Sequence, residues 1–272
     1  MYGKKRNLLL LDNNVLYSSH LKKIVSTIKE SGFIKKPNFI RPLEYEIFMG
    51  MYKNKNRINY DVNKVIKSLS EFTRRIINKK DSAEYCSAVN EIKHSRNKLR
   101  SLWIKRSALL PILNKYRSKV LIQRYVDFNQ GIDARLLDDE KLSILSEIPI
   151  RPLRIAFDSW HQNKIYEKAV RLSAAYGFSD ISNYMLYNYK DRPEDLWYRI
   201  NLNTFLRQEL NIDIFSFPMK YTPVSEIDRK YIGKHWNKKY IRAIQSVLLV
   251  KKGIVSTNKK FVEKAFGSTV EE

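Results

Sequence analysis

Arg124-Tyr125-Val126-Asp127-Phe128-Asn129-Gln130-Gly131-Ile132-Asp133-Ala134-Arg135, followed at 152–158 by Pro152-Leu153-Arg154-Ile155-Ala156-Phe157-Asp158, decides how this chain is read. Each half is a short apolar run that ends in polar side chains. Between them, Asp138-Asp139-Glu140-Lys141-Leu142-Ser143-Ile144-Leu145 begins as a capped helix begins, with its acids first. Strand, helix and strand within about 35 residues is the size of one βαβ unit. A parallel pair needs such a crossover, and ligands gather where the strands of such sheets end. Asn129, Gln130, Asp133, Arg135 and Asp158 all fall at or just past those ends.

The same rhythm extends in both directions. Upstream, Leu8-Leu9-Leu10-Leu11 reads as a buried strand ending in Asp12-Asn13-Asn14. A helix follows, with Leu21, Ile24, Val25 and Ile28 on one face, Ser18 or Ser19 at its start and Gly32 at its close. Downstream, Ile165, Ala169, Leu172 and Tyr176 mark a helix that ends at Gly177, and 183–189 reads as a strand. Asp191-Arg192-Pro193-Glu194-Asp195 is a helix start, because proline suits the first turn and acids face the positive end of the dipole. Residues 212–217 form a further strand, and Trp236, Tyr240, Ile244, Val247 and Leu248 mark a last helix. Five strands, each followed by a helix or a loop to one, predict a parallel α/β sheet, open or curled.

Residues 34–120 break the rhythm. Val62, Val65, Ile66, Leu69, Phe72, Ile76 and Ile77 have helical spacing, and Val89, Ile92, Leu99, Leu102, Trp103 and Leu109 continue it on charged ground. Pro37, Pro42 and Pro111 are breaks, and no strand is expected before about Val120. The expected division is a first β/α unit (1–33), a basic helical insertion (34–120), the remaining β/α units (121–233) and a helical C-terminal extension (234–272).

Composition narrows the function classes. Among 272 residues the formal charge is +23, and residues 35–124 hold 22 Lys/Arg against 7 Asp/Glu, a net +15. Such a field attracts RNA, DNA or another polyanion, with Arg74, Arg75, Lys79 and Lys80 as expected phosphate contacts. A general excess of lysine is the plainer reading of the same numbers. Cys86 is the single cysteine, so disulfides within the chain are excluded. His20, His94, His161 and His235 are scattered, and no metal site is expected from them. No apolar run approaches the ~18 residues of a membrane span, and the N-terminal Met1-Tyr2-Gly3-Lys4-Lys5-Arg6 leads into too short an apolar run for a signal peptide. A cytoplasmic protein without membrane contact is expected.

The strand ends carry a family likeness. LLLLDNN (8–14), VDFNQGIDARL (126–136), PLRIAFD (152–158), YMLYNYKDRPEDLWYR (184–199) and FSFPMKY (215–221), with YIGKHWNKKYIRAIQ (231–245) behind them, resemble the radical S-adenosylmethionine proteins. The likeness is greatest to an uncharacterised group related to the cobalamin-associated branch, and it covers 7–33 and 120–267. It implies a partial (β/α) barrel with five parallel strands here, a 4Fe–4S cluster and S-adenosylmethionine in a full-length relative, and an unknown substrate. By this resemblance Arg135 pairs with the methionine carboxylate. Asp12 and Asn13 lie near its amine, Asp158 closes the fourth strand of the family, and Asn188 and the Asp191–Glu194 turn lie near the adenosine. Asn129, Asp133, Arg135, Asp158 and Asn188 are then expected to share one pocket. The departure is the cluster motif, Cys-x-x-x-Cys-x-x-Cys, which this chain lacks; it reads as a fragment of such an enzyme.

Each residue also has a local reading. Arg135 can pair with Asp138, Asp139 or Glu140, Asp158 can cap a helix, and Asp191 and Glu194 are good first-turn acids. Tyr184, Tyr187 and Tyr189 suit packing, and Cys86 a buried thiol.

Overall fold

The computed structural model describes residues 5–11, 14–53, 61–225 and 230–271, so Asp12 and Asn13 lie outside the described residues. Along the chain run β1 (Asn7–Leu10), α1 (Leu21–Glu30), α2 (Glu44–Lys53), α3 (Val62–Phe72), α4 (Lys79–His94), α5 (Lys98–Ile104) and α6 (Arg106–Tyr116). Then come β2 (Tyr125–Phe128), α7 (Asp139–Leu145), β3 (Leu153–Ala156), α8 (Asn163–Ala175), β4 (Asp180–Tyr187), α9 (Pro193–Leu210), β5 (Asp213–Lys220), α10 (Lys238–Val250), β6 (Val255–Ser256) and α11 (Lys259–Phe266). They fall into two compact units. The helical unit takes 1–6 and 37–123, and the sheet unit takes 7–36 and 124–272.

The helical unit has its own core. Tyr45 and Phe48 of α2, Val65 and Leu69 of α3, Tyr85 and Ile92 of α4, Leu102 of α5 and Leu109 and Leu113 of α6 are buried together. Two tyrosines anchor it with their hydroxyls: Tyr45 donates to Leu102 O at 2.7 Å and Tyr85 to Leu69 O at 3.0 Å. Helix starts follow their caps, with Asp61, Asn78 and Asn97 accepting first-turn N–H groups. An isolated antiparallel bridge, Phe39 to Ile122, brings the two ends of the inserted segment side by side.

In the sheet unit, β1 pairs with β2, and β3 with β4 and β4 with β5, all in parallel. The expectation of five parallel strands in a partial barrel is nevertheless overturned. There are two sheets, of two and four strands, and β6 joins β5 antiparallel. The break falls between β2 and β3, which meet only at isolated parallel bridges, Val126 to Ile150 and Ile132 to Ile155. Six residues on one side span five on the other, so the chain bulges at 129–131 and the ladder cannot run through. Pro149 and Pro152 remove two further donors beside it. Asn129 N–H continues the β1–β2 ladder, donating to Leu10 O at 3.1 Å. Gly131 makes the step fit, since a Cβ there would stand 3.3 Å from both Ala156 Cβ and Ala156 N.

The strand boundaries shift for local reasons. β4 runs through Asp180 and Ser182, earlier than the apolar pattern implies, and ends where Asn188 takes φ 67°. Helix α1 starts after His20, whose N–H donates to Ser18 Oγ at 3.2 Å. The helices bury Leu21, Val25 and Ile28 of α1, Leu142 of α7, Tyr166 and Val170 of α8, and Leu196, Ile200 and Leu206 of α9 against the strands. The Tyr166 ring stacks on Phe157, centroids 4.0 Å apart and 4° from parallel. A polar thread crosses this core: Asn183 donates to Tyr166 Oη, which donates to Asn203, and Asn203 donates to Ser216 Oγ.

Two glycines should respond oppositely to alanine. Gly233 Cβ would stand 2.7 Å from Tyr189 O and 2.9 Å from Asn188 O, so Gly233→Ala is expected to cost about 1–3 kcal/mol. Gly50, on α2, has nothing within 4 Å of its Cβ position, so Gly50→Ala should add about 0.5–1 kcal/mol by helix propensity. Denaturant midpoints that move the same way for both would contradict these environments.

Candidate functional site: the half-exposed face of the sheet

Alternation along the strands sends Val126, Phe128, Leu153, Ile155, Ile181, Met185 and Ile214 into the core. The opposite face carries Leu9, Asp127, Arg154, Ser182, Tyr184 and Phe217, and all but Ser182 keep some exposure. At its centre Arg154 grips Asp127 with two parallel bonds, Nε to Oδ1 and Nη2 to Oδ2, each 2.8 Å. Arg154 Nη1 donates to Ser182 Oγ at 3.2 Å. The pair is largely buried, with 11% of the Arg154 side chain and 21% of Asp127 exposed. Burial works against the Arg154 charge, but the hydrogen bonds and charge of Asp127 outweigh it, so the guanidinium is held more firmly protonated than usual.

Aromatic rings frame the pair. The Arg154 guanidinium lies 5.3 Å from the Phe217 centroid and 5.8 Å from that of Tyr184. Those two rings are 5.5 Å apart and tilted by 32°. Tyr184 Oη donates to Asn129 O at 2.9 Å, which ties the face to the end of β2. Three of the five N–H donors of Arg154 are used in these bonds, and two remain for a ligand.

The residues expected at the strand ends have other duties. Asp133 and Arg135 do meet, but chiefly each other. Asp133 accepts Arg135 N–H, Nε–H and Nη2–H, and this contact holds its carboxyl below the usual range. Arg135 is 61% exposed. Asn188 is fully buried and binds three backbone groups: its amide donates to Tyr221 O and Tyr231 O, and its oxygen accepts Gly233 N–H. Asn129 contributes its backbone carbonyl to the face.

Asp158 stands at the end of β3 near Arg199. Its side chain presents surface to solvent, yet dense protein behind it raises its carboxyl above the ordinary range, against the pull of Leu186 N–H and the Arg199 charge. Arg199 is the buried cation of this edge. It donates to Phe157 O at 3.0 Å, Leu186 O at 2.9 Å and Asp195 O at 3.1 Å, and faces the Asp191 carboxylate at 3.3 Å. Burial lowers its affinity for the proton, and Asp191, Asp158 and Asp195 oppose that. Burial likewise raises Asp191.

Arg74, Arg75, Lys79 and Lys80 lie exposed together where α3 gives way to α4. Cys86 is half-buried on α4. A 4Fe–4S cluster that leaves one iron for a ligand needs three thiolates. One cysteine does not fit that group, and no chemistry is routed through it. Among the described residues no three His, Cys, Asp or Glu side chains gather as a metal site, and no helix is long and apolar enough to cross a membrane.

Asp127, Arg154 and Arg199 were not singled out in the sequence. The available signal was a charged residue flanked on both sides by apolar ones, as in Val126-Asp127-Phe128 and Leu153-Arg154-Ile155. Opposite charges at such positions on successive strands are poised to pair. Comparison with known protein families, with curated proteins and with solved structures found no match.

Two substitutions probe this edge. Arg199→Met should cost about 3–5 kcal/mol, because Asp191 and three carbonyls lose their partner; a change in urea stability below 1 kcal/mol (roughly the worth of one hydrogen bond) would refute the role. Asp158 has a raised carboxyl, so its favourable contribution is present in acid and is lost as pH climbs through the raised value. Asp158→Asn should therefore gain melting temperature over the parent at neutral pH and lose that advantage in acid. A pH-independent difference would contradict it.

Proposed function

We propose that the sheet unit binds S-adenosylmethionine, as a radical-SAM-like protein would, across the face that carries Arg154. The observation that carries this reading is a bidentate Arg–Asp pair framed by two aromatic rings on a half-exposed sheet face. The five family-like motifs support it from the sequence side.

The ligand has three chemical parts, and the face offers a partner for each. Its carboxylate suits the two remaining donors of Arg154. Its ammonium and sulfonium suit the carboxylate of Asp127. Its adenine suits Tyr184 and Phe217, whose rings offer flat apolar surface, with stacking on one aromatic worth about 1–3 kcal/mol. The resemblance gives the carboxylate to Arg135; the proposal moves that role to Arg154, because Arg135 is held by Asp133 in a local turn. The same ion pair joins β2 to β3 where the ladder is broken, so binding and sheet continuity depend on the same two side chains.

The chain on its own binds rather than catalyses in this reading, since Cys86 alone cannot hold the cluster. Isothermal titration calorimetry of the full chain with S-adenosylmethionine and S-adenosylhomocysteine tests it. Saturable heat is expected, stronger for the sulfonium. Phe217→Leu, at a half-exposed position, should weaken binding about fivefold or more through lost stacking, and Arg135→Ala should leave it unchanged. No saturable heat at millimolar ligand, or binding indifferent to Phe217→Leu, would remove the proposal. Loss of binding in Arg135→Ala would return the site to the turn after β2.

A further inference from the structure

We infer that the helical unit is a binding surface for single-stranded nucleic acid, with a built path of two adjoining clefts and a basic corner. The inference is independent of any ligand on the sheet unit.

The charge of the helical unit is not offset within it. Residues 1–6 and 37–123 hold 22 Lys/Arg and 7 Asp/Glu. Four of the seven acids already hold a base each, in the pairs Glu44–Lys64, Glu46–Arg117, Asp81–Lys115 and Glu91–Lys105. Among the described residues, Arg74, Arg75, Lys79 and Lys80 have no carboxylate at ion-pair distance, and all four are exposed. Lys79 and Lys80 also occupy the first turn of α4, where the helix dipole disfavours cations and favours an anion. Ile77 sits among these four bases with 90% of its surface exposed.

Shape makes the patch more than a field. A cleft of about 420 Å³ is lined by Arg41, Arg75 and Ser118 over Pro42, Val120 and Ile122. A second, of about 870 Å³, shares Arg41 and Pro42 with it and continues over Phe39, Ile47, Met51 and Leu121; Lys5, Arg6 and Arg117 line it together with Glu44 and Glu46, of which Glu46 holds Arg117. Apolar floors, a rim of Arg41 and Arg75 on the smaller cleft and an excess of bases over acids on the larger match a strand whose bases turn inward and whose phosphates track the edge. A duplex presents no bases to such slots. A lipid surface would need the bases and Ile77 on one outward plane and would leave the clefts unused.

The test uses the full chain with labelled oligo-uridylate, oligo-thymidylate and a duplex, read by fluorescence anisotropy over a salt series. Single strands should bind more tightly than the duplex, with affinity falling steeply as salt rises. Each phosphate contact to a single strand adds roughly 0.7 to the slope of log affinity on log salt. Reversing Arg74, Arg75, Lys79 and Lys80 to glutamate should therefore flatten that slope by roughly 2–3 and weaken binding at least tenfold. Reversing Lys93, Arg96, Lys98 and Arg100, exposed around the α4–α5 connection of the same unit, removes the same charge and should weaken it less than threefold. Gly50→Phe projects a ring into the larger cleft, where open space surrounds the glycine; it should weaken binding with no change in salt slope.

Equal losses from the two charge reversals would overturn the path in favour of a diffuse field, as would indifference to Gly50→Phe. Absence of binding in low salt would overturn the inference altogether. Tighter binding to phosphatidylglycerol vesicles that oligonucleotides do not displace would assign the surface to membranes. Similar affinity for the two oligonucleotides is expected; a strong preference for the ribose strand narrows the partner to RNA.

Discussion

The guanidinium of Arg199 is the constraint on which the carboxyl edge of the sheet depends. One buried cation collects the Phe157 carbonyl just past β3, the Leu186 carbonyl near the end of β4, the first-turn carbonyl of its own helix and the carboxylate of Asp191. Burying such a charge is costly unless every contact is made. The network therefore continues outward. Asp191 accepts Tyr189 N–H and Trp236 Nε1–H, and Trp236 packs on Tyr187 with ring centroids 5.5 Å apart. Asn188, between them, grips the segment that returns from β5. The stability of this edge comes from directed bonds between elements far apart in sequence.

That geometry explains where the sequence was informative. The alternation of β and α segments outside 34–120 was legible because apolar periodicity survives in 153–156 and along α8; Leu8–Leu11 was legible as an apolar run, although Leu9 and Leu11 are exposed rather than buried. The helical character of 34–120 was legible for the same reason. The broken sheet was not, because a one-residue mismatch at 129–131 leaves no signature in composition. β6 was missed because two residues have no period. Strand-end polar residues drew attention, and the mid-strand charges Asp127 and Arg154 did not. Asn188 and Asp133 do hold partners, as buried or capping polar groups must, but those partners belong to the chain itself. Arg154 and Asp127 needed the register of two strands to reveal that they meet.

Two of the Arg–Asp pairs of the sheet unit, Arg135–Asp133 and Arg154–Asp127, show why position outweighs identity. Arg135 and Asp133 are two residues apart, and Arg135 is mostly exposed, so solvent screens the pair and its worth is small. Arg154 and Asp127 come from different strands and are mostly buried, so each fixes the other, and removal of either strands a charge. The helical unit follows a third pattern. Four of its seven acids hold a base each, and Arg74, Arg75, Lys79 and Lys80 face solvent with no carboxylate at ion-pair distance among the described residues.

The placement of the helical unit inside the sequence of the sheet unit has a consequence for synthesis. β1 pairs in register with β2, Asn7 beside Tyr125, yet residues 37–123 of the helical unit are translated between them. At roughly 5–20 residues per second, β1 leaves the ribosome about 6–24 seconds before its partner strand exists. Over that interval the helical unit can complete its own core, whose buried residues all lie between Tyr45 and Leu113. Once it does, the Phe39–Ile122 bridge has drawn its two ends together, so the later closure of β1 on β2 spans a short effective loop. The folded insertion thus shortens the loop that β1 and β2 must close.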